Sequence, residues 1–195
     1  MIIGITGGTG CGKTTALHVI QELGGIVIDC DALYHDLLQT DKNLLHAIRT
    51  RFPGTVTSEG LNRKALASIV FSDKQALLDL NSITHCAVRK AVRALLKPQP
   101  KLAAIDAIEL FDGGLADDCD VTVAVTAPEE DRIERLLGRD SITQEQAVLR
   151  IRAQKPESYF REKCDYILEN NGTQQEFQEK CLAFFRKLTI IKENL

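Results

Sequence analysis

The sequence predicts an α/β fold built around a mostly parallel sheet of five strands. Short apolar runs rich in β-branched residues alternate with longer segments of helical spacing, which is typical of strands joined by crossover helices. The first run leads into a glycine-rich loop, and two later runs end in aspartates, as expected where buried parallel strands meet at one edge of a sheet. We expect the 195 residues to form a single domain with insertions.

The glycine-rich loop near the N-terminus has the clearest chemistry. Gly7, Gly12, Lys13 and Thr14 fit the pattern GxxxxGK[ST] between a strand and a helix, a context that disfavours a plain connecting turn. Loop N–H groups and the helix dipole favour a bound anion, here the phosphates of ATP. Lys13 adds a catalytic cation for the β- and γ-phosphates, and the Thr14 hydroxyl can ligate Mg²⁺. The predicted nucleotide-binding residues of the loop are Gly8, Gly10, Cys11, Gly12, Lys13, Thr14 and Thr15.

The second predicted strand, residues 26–31, ends in two carboxylates, Asp29 and Asp31. Before it, residues 14–23 have helical spacing and stop at a Gly-Gly pair. If the strand geometry continues to its last residue, both acids share a face beside the phosphate loop. The alternative is that one of them caps a helix that begins near Ala32.

A long helical stretch follows, in which apolar spacing predicts four helices separated by turns at residues 53–54 and 58–60. Such a stretch is longer than a crossover between two parallel strands requires. We therefore expect an inserted helical subdomain on the substrate side, residues 32–100. Its histidines have no metal-ligand spacing, so no metal is assigned to them.

The third predicted strand, residues 102–106, ends in Asp106. An apolar strand followed by an aspartate is also the pattern of the Walker B acid, which holds Mg²⁺ directly or through water. We predict Thr14 as a magnesium ligand, with Asp106 as a further contact through water. Alternatively Asp106 caps or braces a neighbouring loop, and whether it, Asp29 or Asp31 contacts the ion stays open.

Two arginine-rich helices follow the fourth predicted strand, residues 121–125. The second, residues 144–155, is predicted from a capping box formed by Thr143 and Gln146. A short hinge joins the helices, and we assign them to a lid, residues 136–160. Ion pairs with surface glutamates explain most of the arginines, but we expect at least one to contact the transferring phosphoryl group. The arginines are Arg132, Arg135, Arg139, Arg150 and Arg152.

The fifth predicted strand, residues 166–168, precedes Asn170, Asn171 and Gly172, and a last amphipathic helix covers residues 174–188. Asn-Asn-Gly is first of all a turn signal. A loop that leaves the last strand of such a sheet also lies where a nucleotide base could rest. The predicted core comprises residues 1–31, 101–135 and 164–190.

Composition disfavours several classes of function. Lys and Arg number 24 against 27 Asp and Glu, with no dense basic run, so no nucleic-acid partner is expected. The six cysteines form no CxxC pair, which indicates free thiols in a reducing compartment. There is no basic leader, and no apolar stretch approaches about 18 residues. We expect a cytoplasmic protein with small-molecule substrates, no membrane contact and no obligatory protein partner.

Four stretches in this order resemble the dephospho-CoA kinase family along nearly the whole chain: GITGGTGCGKTT, VIDCDALYHDLL, RDSITQEQAVLRIRAQ and CDYILENNG. Many kinases share the first, and the other three are much more specific. The resemblance implies a three-layer P-loop kinase fold and ATP-dependent phosphorylation of the ribose 3′-hydroxyl of dephospho-CoA. It implies Asp31 as the acid that positions and deprotonates the hydroxyl, Arg139 as the lid arginine, and Asn170, Asn171 and Gly172 as the adenine-side loop.

The chain departs from the family pattern on the acceptor side. A Pro-Leu-Leu-Phe-Glu-like stretch is usual where this chain has residues 108–112, so the proline is lost and the acid shortened, and Cys86 replaces the proline usual after His85. The nearest alternative is another nucleoside, nucleotide or small-metabolite kinase. A GTP-reading switch is disfavoured because the chain has no NKxD-type or DxxG motif.

One residue of the phosphate loop is a predicted liability. Cys11 stands where such loops often have serine, among phosphate-binding amides at a helix N-terminus. That position is expected to lower the pKa of the thiol. Alkylation of Cys11 is therefore predicted to block ATP binding.

Overall fold

The computed structural model describes the backbone of residues 1–193 and the side chains of residues 1–190. The strands are β1 (Ile2–Thr6), β2 (Ile26–Asp29), β3 (Val56–Thr57), β4 (Gly60–Leu61), β5 (Ala103–Asp106), β6 (Val121–Thr126) and β7 (Tyr166–Glu169). The helices are α1 (Lys13–Glu22), α2 (Cys30–Thr40), α3 (Lys42–Arg51), α4 (Arg63–Ser72), α5 (Lys74–Leu96), α6 (Glu129–Arg139), α7 (Gln144–Arg152), α8 (Glu157–Lys163) and α9 (Gln174–Glu193), with a 3₁₀ turn at Leu115–Asp118.

The main sheet has five strands in the order β2-β5-β1-β6-β7, and every neighbouring pair is parallel. The predicted five-stranded parallel sheet is thus confirmed. The register pairs Asp106 with Ile5 on one side and with Asp29 on the other. Because β1 runs into the phosphate loop, this register brings that loop and both aspartates to one edge of the sheet.

Helices cover both faces of the sheet, giving three layers. On one face, α1 and α9 pack over inward-pointing residues such as Ile5 and Val123, both fully buried. On the other face, α5 contributes Val88 and Val92, which pack against Ile105. Burial on both faces explains why the strands read as continuous apolar runs rather than as alternating ones.

The inserted region forms a small core of its own. The four predicted helices are confirmed as α2 to α5, and they pack around Ile48, Phe52, Val70 and other buried residues. The structure adds an antiparallel hairpin of β3 and β4 that the sequence analysis missed. Each strand is two residues long, too short for an alternating pattern to register.

The lid region also follows the prediction closely. The capping box of Thr143 and Gln146 is present at the start of α7, and Leu136, fully buried, anchors the packing between α6 and α7. Two details differ from the prediction. Helix α7 ends at Arg152 rather than near residue 155. Helical backbone is disfavoured for the residue before Pro156, so the helix stops short of it. The short helix α8, which begins after Pro156, was not predicted.

Candidate active site

Two cavities open side by side at the carboxyl edge of the sheet. The first, the phosphate-loop cavity, has a volume of about 340 Å³, and the second, the helical-side cavity, of about 350 Å³. Asp31 and Ile108 line both. The phosphate-loop cavity also contains Gly8, Thr9, Gly10, Gly12, Lys13, Thr14, Asp106, Arg135, Leu136 and Arg139 in its wall. The helical-side cavity is otherwise lined by Cys30, Tyr34, Leu80, Asn81, Thr84, His85, Val88, Ala107, Glu109, Gly113 and Leu115.

The phosphate loop takes a conformation that only glycine accommodates at its key positions. Gly7 has a φ of +134°, and a Cβ there would collide with the Val125 carbonyl of the neighbouring strand. Gly12, with a φ of 99° in the left-handed region, precedes the first residue of α1. The ammonium of Lys13 donates to the Gly7 carbonyl (3.1 Å). The predicted strand, loop and helix start are therefore all present, with Lys13 and Thr14 in the cavity wall.

The prediction of a reactive thiol at Cys11 is wrong. The side chain is 3% exposed and packs in the apolar core beneath the loop. Burial raises the pKa of the thiol, and this outweighs the opposing charges of Arg132 and Lys13. Only the backbone of Cys11 remains available to the nucleotide-binding role.

Asp29 and Asp31 do different jobs. Asp29 caps α2, accepting a hydrogen bond from the Ala32 amide (2.9 Å). The strand ends there, so its geometry does not continue to residue 31, and the capping alternative holds for Asp29. Asp31 lies instead in the first turn of α2, where it lines both cavities.

Asp106 carries an unsatisfied oxygen. Its Oδ1 is buried and has no hydrogen-bond partner among the described residues. Burial raises the pKa of Asp106 to about 6; Lys13 lowers it, whereas Asp29 and Asp31 raise it further. Mg²⁺ prefers oxygen ligands and keeps several waters, so this oxygen and the Thr14 hydroxyl suit such an ion. No three His, Cys, Asp or Glu side chains within residues 1–190 group as a metal site by themselves.

Arg139 lies in the wall of the phosphate-loop cavity, with 61% of its side chain exposed. Its guanidinium donates to both carboxylate oxygens of Asp140, at 2.7 Å and 2.9 Å. Arg150 donates to the same carboxylate (2.6 Å) but does not line the cavity. An ion pair with Asp140, exposed to solvent, thus holds Arg139 at the rim of the phosphate-loop cavity.

Two other arginines contact the phosphate loop itself. Arg132 donates through Nε to the Thr9 carbonyl (2.9 Å), and Arg135 through Nη1 to the Gly10 carbonyl (3.1 Å). The amide of Gln154 accepts from the Thr9 N–H (2.8 Å). The ion pairs predicted for these arginines were with surface glutamates, whereas Arg135 pairs with Asp131 (3.6 Å), and the contacts to the loop were not predicted. Backbone carbonyls leave no sequence signal, so the pattern had no way to indicate them.

The Asn-Asn-Gly loop is divided between two roles. Asn170 is buried, and its Nδ2 donates to the Cys11 carbonyl (2.9 Å), so it braces the phosphate loop from below. Gly172 opens onto a third cavity of about 480 Å³, shared with α6. Asn171 is exposed. Besides Gly172, the lining residues of this base-side cavity are Asp131, Glu134, Arg135 and Gln174.

The segment after β5 carries charged contacts toward the helical insertion and the lid. The His85 Nε2 lies 2.9 Å from the Glu109 carboxylate, and this hydrogen bond lowers the pKa of Glu109. Asp112 pairs with Lys155 (3.1 Å) and accepts from the Tyr159 hydroxyl (3.2 Å). Within the segment that departs from the family pattern, Ile108 and Glu109 line the helical-side cavity, and Asp112 contacts the region assigned to the lid.

Comparison with known proteins identifies the family. The model of the family described as dephospho-CoA kinase matches residues 1–176. The chain belongs to the dephospho-CoA kinase family. A dephospho-CoA kinase from Syntrophotalea carbinolica is 34% identical over 96% of this chain and 92% of its own length. One from Thermus thermophilus is 33% identical over 97% and 92%.

Solved structures show the same fold. The Thermus thermophilus protein TT1252 superposes with a TM-score of 0.79 at 32% identity, covering 96% of this chain and 97% of that one. Shikimate kinase from Acinetobacter baumannii, at 16% identity and a TM-score of 0.53, shares the fold alone. The predicted dephospho-CoA kinase family and three-layer P-loop kinase fold are thus confirmed. Among the described residues, no helix is both long and apolar enough to cross a membrane.

Proposed function

We propose that this chain transfers the γ-phosphoryl group of ATP to the ribose 3′-hydroxyl of dephospho-CoA, giving coenzyme A and ADP. The observation that carries the proposal is that two cavities, one formed by the phosphate loop and one by the helical insertion, meet at Asp31. ATP phosphates suit the first and the acceptor nucleoside the second. A hydroxyl at their junction would lie next to the γ-phosphoryl group, and direct transfer requires this proximity.

In this arrangement Asp31 orients the acceptor hydroxyl. The hydroxyl oxygen forms the new P–O bond while the bond to the ADP oxygen breaks, and the hydroxyl proton passes to the Asp31 carboxylate. A carboxylate is a weak base toward a sugar hydroxyl, so the proton moves late and Asp31 acts chiefly by orientation. Lys13 and the loop N–H groups hold the negative phosphates.

Mg²⁺ belongs to this proposal, held by the Thr14 hydroxyl and, through water, by the unsatisfied Asp106 oxygen. When bound, the ion supplies positive charge that neutralises the phosphate oxygens. When the lid closes, it shields the phosphates from water, and Arg139 then supplies a second cation. To turn inward, Arg139 must leave the Asp140 carboxylate, and an ion pair so exposed to solvent costs little to break.

The adenine of ATP is assigned to the base-side cavity beside Gly172. That cavity lies between the loop after β7 and α6, and Arg135 lines both it and the phosphate-loop cavity. A nucleotide can therefore run from one cavity to the other along Arg135. Asp131 and Glu134 add carboxylate acceptors suited to the adenine amino group. Asn170 then serves by holding the loop and Asn171 by completing the turn.

The expected cytoplasmic location and the absence of an obligatory protein partner are also part of this proposal. The location rests on the six cysteines, which are all free thiols in the structure.

ADP release from the purified protein tests the function directly. ATP and Mg²⁺ are supplied with dephospho-CoA, AMP, CMP or uridine as the acceptor, and Lys13→Ala serves as the control for contaminating kinases. We expect turnover with dephospho-CoA and little with the others. Turnover with a nucleoside monophosphate but not with dephospho-CoA would reassign the acceptor while leaving the kinase fold intact.

A further inference from the structure

Two side chains, Arg132 of α6 and Gln154 just after α7, hold the backbone of Thr9 in the phosphate loop from both sides. The Thr9 N–H donates to the Oε1 of Gln154 (2.8 Å), and the Thr9 carbonyl accepts from the Nε of Arg132 (2.9 Å). Arg132 Nη2 also donates to the same Gln154 oxygen (3.3 Å). The three residues thus form a closed ring of hydrogen bonds, which we call the Thr9 clamp.

Close packing fixes the Thr9 clamp in place. A Cβ at Gly8 would lie 2.5 Å from the Arg132 guanidinium and 3.1 Å from the Gln154 oxygen. A Cβ at Gly10 would lie 2.9 Å from the Arg132 carbonyl. The loop therefore rests directly on the two side chains.

Peptide geometry turns this contact into an orientation of the loop donors. A trans peptide is planar, with its C=O and N–H pointing in opposite directions. When Arg132 binds the Thr9 carbonyl, the Gly10 N–H of the same peptide must point away from Arg132. Both Thr9 and Gly10 line the phosphate-loop cavity.

We propose that Gln154 and Arg132 are positioning residues that aim the Gly10 N–H into the phosphate-loop cavity, so that it stabilises the transferring phosphoryl group. The inference rests on the proposed kinase function. Neither side chain lines the cavity itself, so both act through the backbone of Thr9. Gln154 follows α7 within the region assigned to the lid, and the Thr9 clamp therefore also links that region to the loop.

Steady-state kinetics of Gln154→Leu, Gln154→Glu and Arg132→Leu test the proposal. Loss of one oriented donor to a developing anion typically costs about 10²-fold or more in kcat, and we expect each leucine variant to lose at least about tenfold through a slackened loop. The KM for dephospho-CoA should stay within about twofold.

Gln154→Glu keeps an acceptor for Thr9 and a partner for Arg132, so it should retain most of the wild-type kcat. Gln144→Leu, at the exposed start of α7, is the matched control and should behave as wild type.

A second measurement is independent of turnover. Hydrogen exchange at the Thr9 amide, followed by NMR, should be slow in the wild-type protein and at least about tenfold faster in Gln154→Leu. Faster exchange with unchanged kcat would overturn the positioning role, as would a parallel rise in the KM for dephospho-CoA. If the wild-type protein fails to phosphorylate dephospho-CoA, the proposed function fails, whereas slow Thr9 exchange and its acceleration in Gln154→Leu would still support the Thr9 clamp.

Discussion

Asp31 occupies the junction of the two cavities, and its role can be separated from that of Asp29. We expect Asp31→Asn to lower kcat by orders of magnitude while ATP binding stays nearly unchanged, because the neutral amide holds the acceptor hydroxyl less firmly than a carboxylate and cannot take its proton. Turnover assays and calorimetric ATP titration measure the two effects. Asp29→Asn removes the same charge two residues away, yet asparagine caps a helix as well as aspartate, so a smaller loss is expected. Wild-type turnover in Asp31→Asn would show that the assignment is wrong.

The burial of the Asp106 carboxylate lowers the free energy of unfolding, but it provides an oxygen for a cation. Its pKa of about 6 in the folded protein exceeds the ordinary 3.8, so the native state binds this proton more tightly than the unfolded chain does. Between those values the free energy of unfolding therefore falls as pH rises, and the loss persists above pH 6. Asparagine does not titrate, so in the absence of nucleotide and Mg²⁺ the Asp106→Asn variant should not show this fall in the free energy of unfolding.

The gain in stability of Asp106→Asn should grow by about 1 kcal/mol from pH 5 to pH 7.5. Urea unfolding at the two pH values measures it, and an equal difference at both would contradict the raised pKa. In contrast, kinase activity of the variant should fall, and higher Mg²⁺ should restore it only in part, since one contact to the ion's waters is lost.

Sequence reasoning at this scale succeeded where a residue type and its position determine the chemistry. The motif predicted a phosphate loop that is present, with Lys13 and Thr14 in the cavity wall, and the acids that follow two apolar runs, Asp31 and Asp106, line the same cavity. It failed for Cys11, because a position within a loop does not reveal which side of the backbone faces the core. The frequent burial of free cysteine was the available signal.

At the scale of elements, long helices were predicted from the sequence and short elements were not. Long periodic helices and the capping box of α7 were predictable, because each residue in them adds to one consistent signal. The hairpin of β3 and β4 and the seven-residue α8 are too short for such a signal. Packing against the neighbouring elements determines them instead.

The lid can be tested through its hinge. We expect Arg139→Ala to lower kcat by about 10³-fold, the loss seen when a cation that stabilises a transferring phosphoryl group is removed. Arg150→Ala is the matched control, since Arg150 binds the same Asp140 carboxylate but lies outside the cavity. Rapid-quench measurement of the chemical step compares the two variants. Equal losses would mean that these arginines matter only for holding Asp140.

At the scale of the whole molecule, strand order decides which residues meet. The sequence predicted five strands but not the order β2-β5-β1-β6-β7, which depends on how the crossover helices pack over the sheet. That order places β5 between β1 and β2, so Asp106 lies between the phosphate loop and the start of α2. The helical insertion follows β2 directly, which is why its cavity opens beside Asp31.

The shared wall of the two cavities predicts the kinetic mechanism. Because Asp31 and Ile108 line both, ATP and the acceptor can be bound at once, and the phosphoryl group can pass directly between them. Initial velocities measured over both substrates should therefore give intersecting double-reciprocal lines. ADP should not form in a stoichiometric burst when the acceptor is omitted. Parallel lines, or a phosphorylated protein isolated after incubation with ATP alone, would instead require a covalent intermediate and an acceptor that binds only after ADP has left.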